Sequence, residues 1–145
     1  MRRTARLGDG WLPYLYTPEP LARSLETIRE HAGEAGRDPS AIRAGVFLWS
    51  AVHEDGRRAR EMAVQMLSRN YNQDFSALAE RYVVAGDPAR CRARILEYID
   101  AGASLVLLPP ALAAPDAAAS VALMAADVIA PLRHAARDHP GDDTR

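Results

Sequence analysis

DPARCRARILEYIDAGASLVLLPP, residues Asp87 to Pro110, reads as one helix, one tight stop and one apolar strand. Asp87 is placed to cap the helix, and Pro88 takes the first helical position, where its missing N–H costs nothing. Cys91, Ile95 and Ile99, with Leu96 and Tyr98 at the edges, recur at helical spacing and predict one apolar face. Gly102 follows as a left-handed stop. Leu105 to Leu108 are then apolar at every position rather than at alternate ones. Such a strand is expected to be covered on both faces, in a parallel sheet with helices outside. Pro109 and Pro110 end it, because neither can donate a ladder hydrogen bond. This is the helix–strand half of a parallel α/β unit, and its strand end points to where such folds keep their chemistry.

Upstream, the same alternation repeats. Met1 to Arg6 is basic and predicted helical, yet starts without a cap, as the end of a helix begun earlier would. Gly8-Asp9-Gly10 turns into Trp11-Leu12-Pro13, read as a strand end, with the glycines expected at positive φ. Thr17-Pro18-Glu19 opens a helix to about Ala35 with a hydroxyl cap, Pro at the first position and acid in the first turn. Leu21, Leu25, Ile28, Ala32 and Ala35 form its inner face, and Gly36 stops it. Ile42 to Val52 is apolar, β-branched and aromatic, which predicts a single strand. Arg57 to Asn70 is a helix with Ala59, Met62, Ala63, Met66 and Leu67 inward, and Phe75 to Tyr82 a short one.

Downstream, a last helix starts near Pro115 with Val121, Met124, Ala125, Val128, Ile129 and Leu132 inside. Pro131 is expected to kink or nearly end it. Residues 1–137 form the folded part, and Asp138 to Arg145 is expected to be a disordered tail.

The 145 residues suffice for one domain with a core, and the near-balanced charge of −1 argues against a general nucleic-acid or anionic-membrane surface. No apolar run approaches the roughly 18 residues of a membrane span, and no signal peptide follows the N-terminal arginines. The single cysteine, Cys91, falls on a buried helical face with no metal-ligand spacing around it, which suits a reducing, cytoplasmic setting. Nucleophile elbow, Walker loop, zinc pattern and GxGxxG fingerprint are all absent. Three predicted parallel strands cannot close a barrel. They belong either to a small open sheet or to part of something larger.

Three stretches in order then resemble one family. ARLGDGWLP (Ala5 to Pro13) before a helix opening TPEP, the VHEDGRRAREMA segment, and GDPARCRARILEYIDAGASLVLLPP with a final VIAPLR are similar to the luciferase-like monooxygenase superfamily. The resemblance runs from Arg2 to about Arg133. It implies an α/β fold that is the C-terminal part of a (β/α)8 TIM barrel, about the last three strands with their helices. The family's Gly-Gly phosphate turn and first five strands have no counterpart in these residues. It also implies FMN or coenzyme F-420 as cofactor, a small organic substrate, and hydride or oxygen chemistry carried by the flavin.

In such barrels function sits on loops after the strands' C-terminal ends. That rule selects Trp11, Tyr14 and Tyr16, then His53 and Glu54, then Pro109 and Pro110. The aromatics and Pro109 are candidates to wall a substrate pocket, and the same aromatics equally suit the core. His53 is the one histidine at the predicted active face, hence the candidate acid or base; its alternative is a polar loop start. By resemblance, Arg2 and Arg3 (with Arg6 on the same helix) are candidates for the cofactor phosphate, or else line a solvated face. Gly8, Asp9 and Gly10 either approach the cofactor or simply make the turn. His31 and His134 fall on helices and His139 in the tail, without partners at ligand spacing. Two functional readings follow. One is a C-terminal part of a flavin- or deazaflavin-dependent oxidoreductase, weakly active or inactive alone. The other is a non-catalytic half-barrel that assembles with a second copy or with an N-terminal half, since bare edges and apolar patches attract partners.

Overall fold

The computed structural model describes residues 1–138. Its elements are α1 (Arg2–Leu7), β1 (Gly10–Trp11), α2 (Pro18–Glu34), β2 (Arg43–Phe47), β3 (Ser50–Val52), α3 (Gly56–Tyr71) and α4 (Ser76–Tyr82), followed by β4 (Val84–Gly86), α5 (Pro88–Asp100), β5 (Leu105–Leu107), α6 (Asp116–Leu123) and α7 (Ala130–Asp138). All pairings are parallel: β1, β2 and β5 lie side by side in that order, and β3 pairs β4. This is an α/β fold in which helices connect the strands, except that β2 runs on to β3 through Leu48 and Trp49.

The Asp87–Pro110 unit forms much as its residues dictate. The Asp87 carboxylate accepts from the Arg90 N–H at 3.0 Å, capping α5. At the other end Gly102 sits at φ +98°, and Ala103 N–H reaches back to the Tyr98 carbonyl at 3.0 Å. The inner face is rotated from the expected one. Cys91, Ile95 and Tyr98 are its buried residues, whereas Leu96 and Ile99 are exposed. Tyr98, expected at the edge, is fully buried, and its hydroxyl donates to the Tyr16 carbonyl at 2.8 Å.

The stretch Ile42 to Val52 departs from a single strand. β2 uses one edge for β1 and the other for β5; after Leu48 the chain resumes as β3 and takes β4 on the edge β1 has left. β4 was not anticipated, because three residues carry too little pattern to announce a strand. Two buried serines fasten this junction. Ser50 Oγ donates to the Leu108 and Pro109 carbonyls at 3.1 Å, and Ser120 Oγ accepts from Val52 N–H at 2.9 Å.

The core forms two main clusters, which take opposite faces of β3 and β4: Val52 and Val84 go to one, Ala51 and Ala85 to the other. The larger joins Leu21, Leu25, Val46, Leu48, Val52, Ile95, Tyr98 and Val128 under α2, α5 and the last helix. The second lies under α3 and α4 and is mostly small: Ala51, Ala59, Ala63, Ala79 and Ala85, with Leu67 and Phe75. Cys91 is in the larger cluster, 1% exposed, and burial pushes its thiol up to about 11.

Other expectations are corrected by geometry. Thr17 stands at the N-cap of α2, but its hydroxyl makes no cap bond. Gly8 is extended (φ −93°) and Gly10 lies in β1, so the turn before β1 uses no positive φ. Ala35, Val121 and Ala125, expected inside, are exposed. Pro131 does not end the last helix. A π-helical turn, Met124–Ile129, precedes it, and α7 continues to Asp138. Lacking an N–H, Pro131 cannot serve the Asp127 carbonyl; Arg92 donates to that oxygen instead. Apart from Asp138, the expected tail, with His139, lies outside the described residues.

Candidate functional site

The front of the β1–β2–β5 sheet, opposite α2 and α5, is laid out in rows. Residues paired across parallel strands share a face. One row is Gly10 beside Arg43. The next is Leu12 lying over Gly45, with Leu105 beyond; a Cβ at Gly45 would stand 2.7 Å from Leu12 Cδ1, so the missing side chain is what admits the leucine. The third is Tyr14, Phe47 and Leu107. Leu12 (48%), Tyr14 (39%), Leu105 (44%) and Leu107 (38%) are exposed, so the apolar strand Leu105–Leu108 is covered on its helix side only. Among the described residues β1 and β5 each pair on one edge alone.

Above the third row, at the strands' C-terminal ends, three polar aromatic groups converge. Tyr14 Oη and Tyr71 Oη are 2.6 Å apart. Trp49 Nε1–H donates to both phenols, at 3.2 Å to Tyr14 and 3.3 Å to Tyr71. Phe47 stands edge-to-face between Tyr14 and Trp49, with centroids 5.4 Å from each, and Tyr71 stacks on Phe75 at 5.2 Å. Burial, then the hydrogen bond to Tyr71, pushes the Tyr14 phenol up to about 12, so it is protonated throughout the neutral range.

The backbone explains why Tyr14 belongs to this group and Tyr16 does not. In a regular strand the two would share a face. Leu15 lies between them at φ +55°, a left-handed conformation uncommon for leucine, and reverses the alternation. Tyr16 therefore turns behind the sheet, where it packs edge-to-face on Trp11 at 5.3 Å. Trp11 itself joins the helix-side clusters. Of the aromatics selected from sequence, only Tyr14 faces the front. Phe47, Trp49 and Tyr71 were missed: two are hidden in an apolar run, and the third lies just past Asn70, between the two expected helices.

The remaining candidates are scattered. His53 follows β3, and its Nδ1 accepts from the Asp55 N–H at 2.9 Å, so the ring closes the turn into α3. Glu54 is exposed in the same turn. Pro109 and Pro110 run alongside Ser50 at the end of β5. Arg2 and Arg6 flank an open groove with His31 and Glu34 between α1 and α2, while Arg3 is exposed on α1. Gly8, Asp9 and Gly10 lie at the opposite, N-terminal end of β1, where Arg37 donates to the Ala5 and Gly8 carbonyls (3.0 and 2.8 Å) and pairs with Asp9. Among the described residues no helix is long and apolar enough to cross a membrane, and no cluster of His, Cys, Asp or Glu is placed to hold a metal ion.

A parallel α/β sheet with helices behind it and polar groups gathered at its C-terminal strand ends is the arrangement from which (β/α) enzymes are built. The luciferase-like monooxygenase family model matches residues 1–105, and the chain belongs to that family. A 43-residue stretch is 42% identical to the phthiodiolone/phenolphthiodiolone dimycocerosates ketoreductase of Mycobacterium tuberculosis, covering 29% of this chain and 11% of that protein. The fold is similar to that of an F420-dependent secondary alcohol dehydrogenase in complex with an F420-acetone adduct (TM-score 0.74, 21% identity, 91% of this chain and 45% of that one). It is also similar to the F420-dependent tetrahydromethanopterin reductase of Methanopyrus kandleri (TM-score 0.71, 20% identity, 90% and 47%). A third similar structure is the oxygenating constituent of 3,6-diketocamphane monooxygenase of Pseudomonas putida, in complex with FMN (TM-score 0.64, 15% identity, 88% and 44%). The chain thus spans about half the length of these solved relatives.

Proposed function

We propose that this chain supplies the C-terminal strands, about the last three, of a luciferase-like (β/α)8 barrel working as a flavin- or deazaflavin-dependent oxidoreductase. One observation carries the reading. The open front of the sheet, apolar in two successive rows, leads up to the Tyr14–Trp49–Tyr71 cluster at the strands' C-terminal ends. The open edges of β1 and β5 and the exposed leucines call for further strands in the working protein, from an N-terminal half or a second copy.

The residues present fit part of a cofactor site. Leu12, Phe47 and Leu107 offer an apolar wall to a flat ring or to the substrate lying against it, and the Tyr14–Tyr71 phenol pair, held by Trp49, offers a hydrogen bond. Arg3 and Arg2, exposed on α1, are the cations available for a phosphate. FMN or F-420, when bound, supplies the hydride or oxygen chemistry. The chain's own groups hold and orient the substrate and keep water off the wall. His53 retains only Nε2 for proton exchange, since Nδ1 is engaged by Asp55. Fluorescence titration of the folded chain with FMN and, separately, with F-420 tests the reading. Saturable binding of one of them, weakened by Phe47→Ala, is expected; binding of neither would remove the cofactor site from this chain.

A further inference from the structure

We propose that the Tyr14–Trp49–Tyr71 cluster is a binding site for the carbonyl oxygen of a small, uncharged organic molecule whose apolar part lies on Phe47 and Leu107. As a substrate site it rests on the oxidoreductase reading above; the binding itself needs no cofactor.

The inference comes from counting hydrogens. The cluster holds three donors, one indole N–H and two phenol O–H groups, and two acceptor oxygens. The indole hydrogen is shared between both oxygens. The 2.6 Å contact takes one phenol hydrogen, whichever ring donates it. One phenol hydrogen remains, with no protein partner among the described residues. The oxygen that carries it already accepts from the indole and from the other phenol, so its two lone pairs are filled and it acts as a donor alone. Its complement is an atom with a lone pair, such as a carbonyl oxygen, and not an ammonium; the phenol that donates the 2.6 Å bond keeps one lone pair of its own. Accepting two hydrogen bonds also polarises the spare O–H and strengthens the bond it donates.

Position and charge narrow the class further. Both phenol rings are partly exposed, so the spare hydrogen is reachable from the front of the sheet. The row below it is aromatic and aliphatic, Phe47 beside Leu107, which suits hydrocarbon rather than a polar chain. No cationic side chain belongs to the cluster, so a carboxylate or phosphate would arrive there without a counter-charge, and a neutral ketone or aldehyde is favoured. The high Tyr14 affinity for its proton agrees with a donor role through the neutral range. Tyr71 comes from the last turn of α3, and its part is to fill a lone pair or to donate in Tyr14's place.

The test uses the chain without cofactor and two probes of similar shape, acetophenone and ethylbenzene, in saturation-transfer NMR titrations. One neutral hydrogen bond is worth about a fivefold preference, so acetophenone should bind about fivefold tighter, and the preference should vanish in the Tyr14→Phe/Tyr71→Phe double variant. Either single variant keeps one phenol and should keep part of it. Equal affinity of the two probes for the unaltered chain, or a full preference surviving in the folded double variant, would overturn the proposal. Should the double variant not fold, the infrared stretch of carbonyl-labelled acetophenone on the unaltered chain decides. A shift to lower wavenumber than in hydrocarbon, kept at least in part by Tyr14→Phe and by Tyr71→Phe measured singly, supports the site; an unshifted band with the unaltered chain refutes it. A failed flavin titration alongside a preserved acetophenone preference would sink the cofactor reading and leave this site standing.

Discussion

Gly56 opens α3 at a point where the chain has no room for a side chain. A Cβ there would lie 2.6 Å from the Asp87 nitrogen, 3.1 Å from Asp87 Oδ2 and 3.3 Å from the Gly86 carbonyl carbon. The first contact is about 0.8 Å short of ordinary van der Waals separation, and it is made to backbone, which cannot swing aside. Neither is that backbone free to retreat. Gly86 is paired with Val52 in the β3–β4 ladder, and Asp87 caps α5. Gly56→Ala therefore sets two effects against each other. Helix propensity favours alanine by at most about 1 kcal/mol, whereas forcing a methyl into a closed contact costs about 1–3 kcal/mol. The clash should win, with a net loss of about 1–2 kcal/mol. Gly33→Ala is the internal control. Gly33 lies in α2 with nothing within 4 Å of its Cβ position, so alanine there should stabilise by about 0.4–1 kcal/mol through the unfolded chain. Urea unfolding followed by far-ultraviolet circular dichroism measures both. The two midpoints should move in opposite directions. A Gly56→Ala midpoint at or above that of the unaltered chain would show that α3 and the β4–α5 junction are not in the tight contact described.

Two further substitutions probe the helix side of the sheet. Tyr98→Phe removes the hydroxyl that satisfies the Tyr16 carbonyl at 2.8 Å inside the core, and should lower stability by about 1–3 kcal/mol; a loss below the error of the unfolding curve would place water at that carbonyl. Cys91 has its thiol raised by burial from 9.0 to about 11. The stability tied to its protonated form is complete below about pH 9 and is lost as pH rises toward 11, about 2–3 kcal/mol in all, so Cys91→Ala should flatten the alkaline limb of the stability curve. The same burial predicts that an aromatic disulfide reagent labels Cys91 no faster than the chain unfolds; immediate labelling would contradict it.

What sequence could tell was local. Asp87, Pro88 and Gly102 act through their own backbone neighbourhood, so cap, first turn and stop were readable without knowing what surrounds them. The run Leu105 to Leu108 announced apolar surroundings on both faces, and among the described residues only its helix side is covered. β4 exists because β3 offers it an edge, a tertiary cause that three residues cannot signal. The candidate site was legible at Tyr14 alone. Trp49 looked like one more apolar strand residue, Tyr71 lay between two expected helices, and nothing about leucine suggested that Leu15 would adopt a left-handed conformation and part Tyr14 from Tyr16.

The two core clusters meet at β3 and β4, each of which gives residues to both, and they are unequal. The cluster under α3 and α4 is built largely from alanines, each burying little apolar area, while the other holds leucines, isoleucine, valines and a tyrosine. Segments with so little buried surface open at lower free energy than the whole molecule, in contiguous units rather than residue by residue. Amide hydrogens of α3 and α4 should accordingly exchange before those of α5. Tyr71 travels with the looser unit and Tyr14 with the firmer one, so each such excursion parts the two phenols. The lifetime of their hydrogen bond is then set by the alanine layer some distance away, and not by the bond itself.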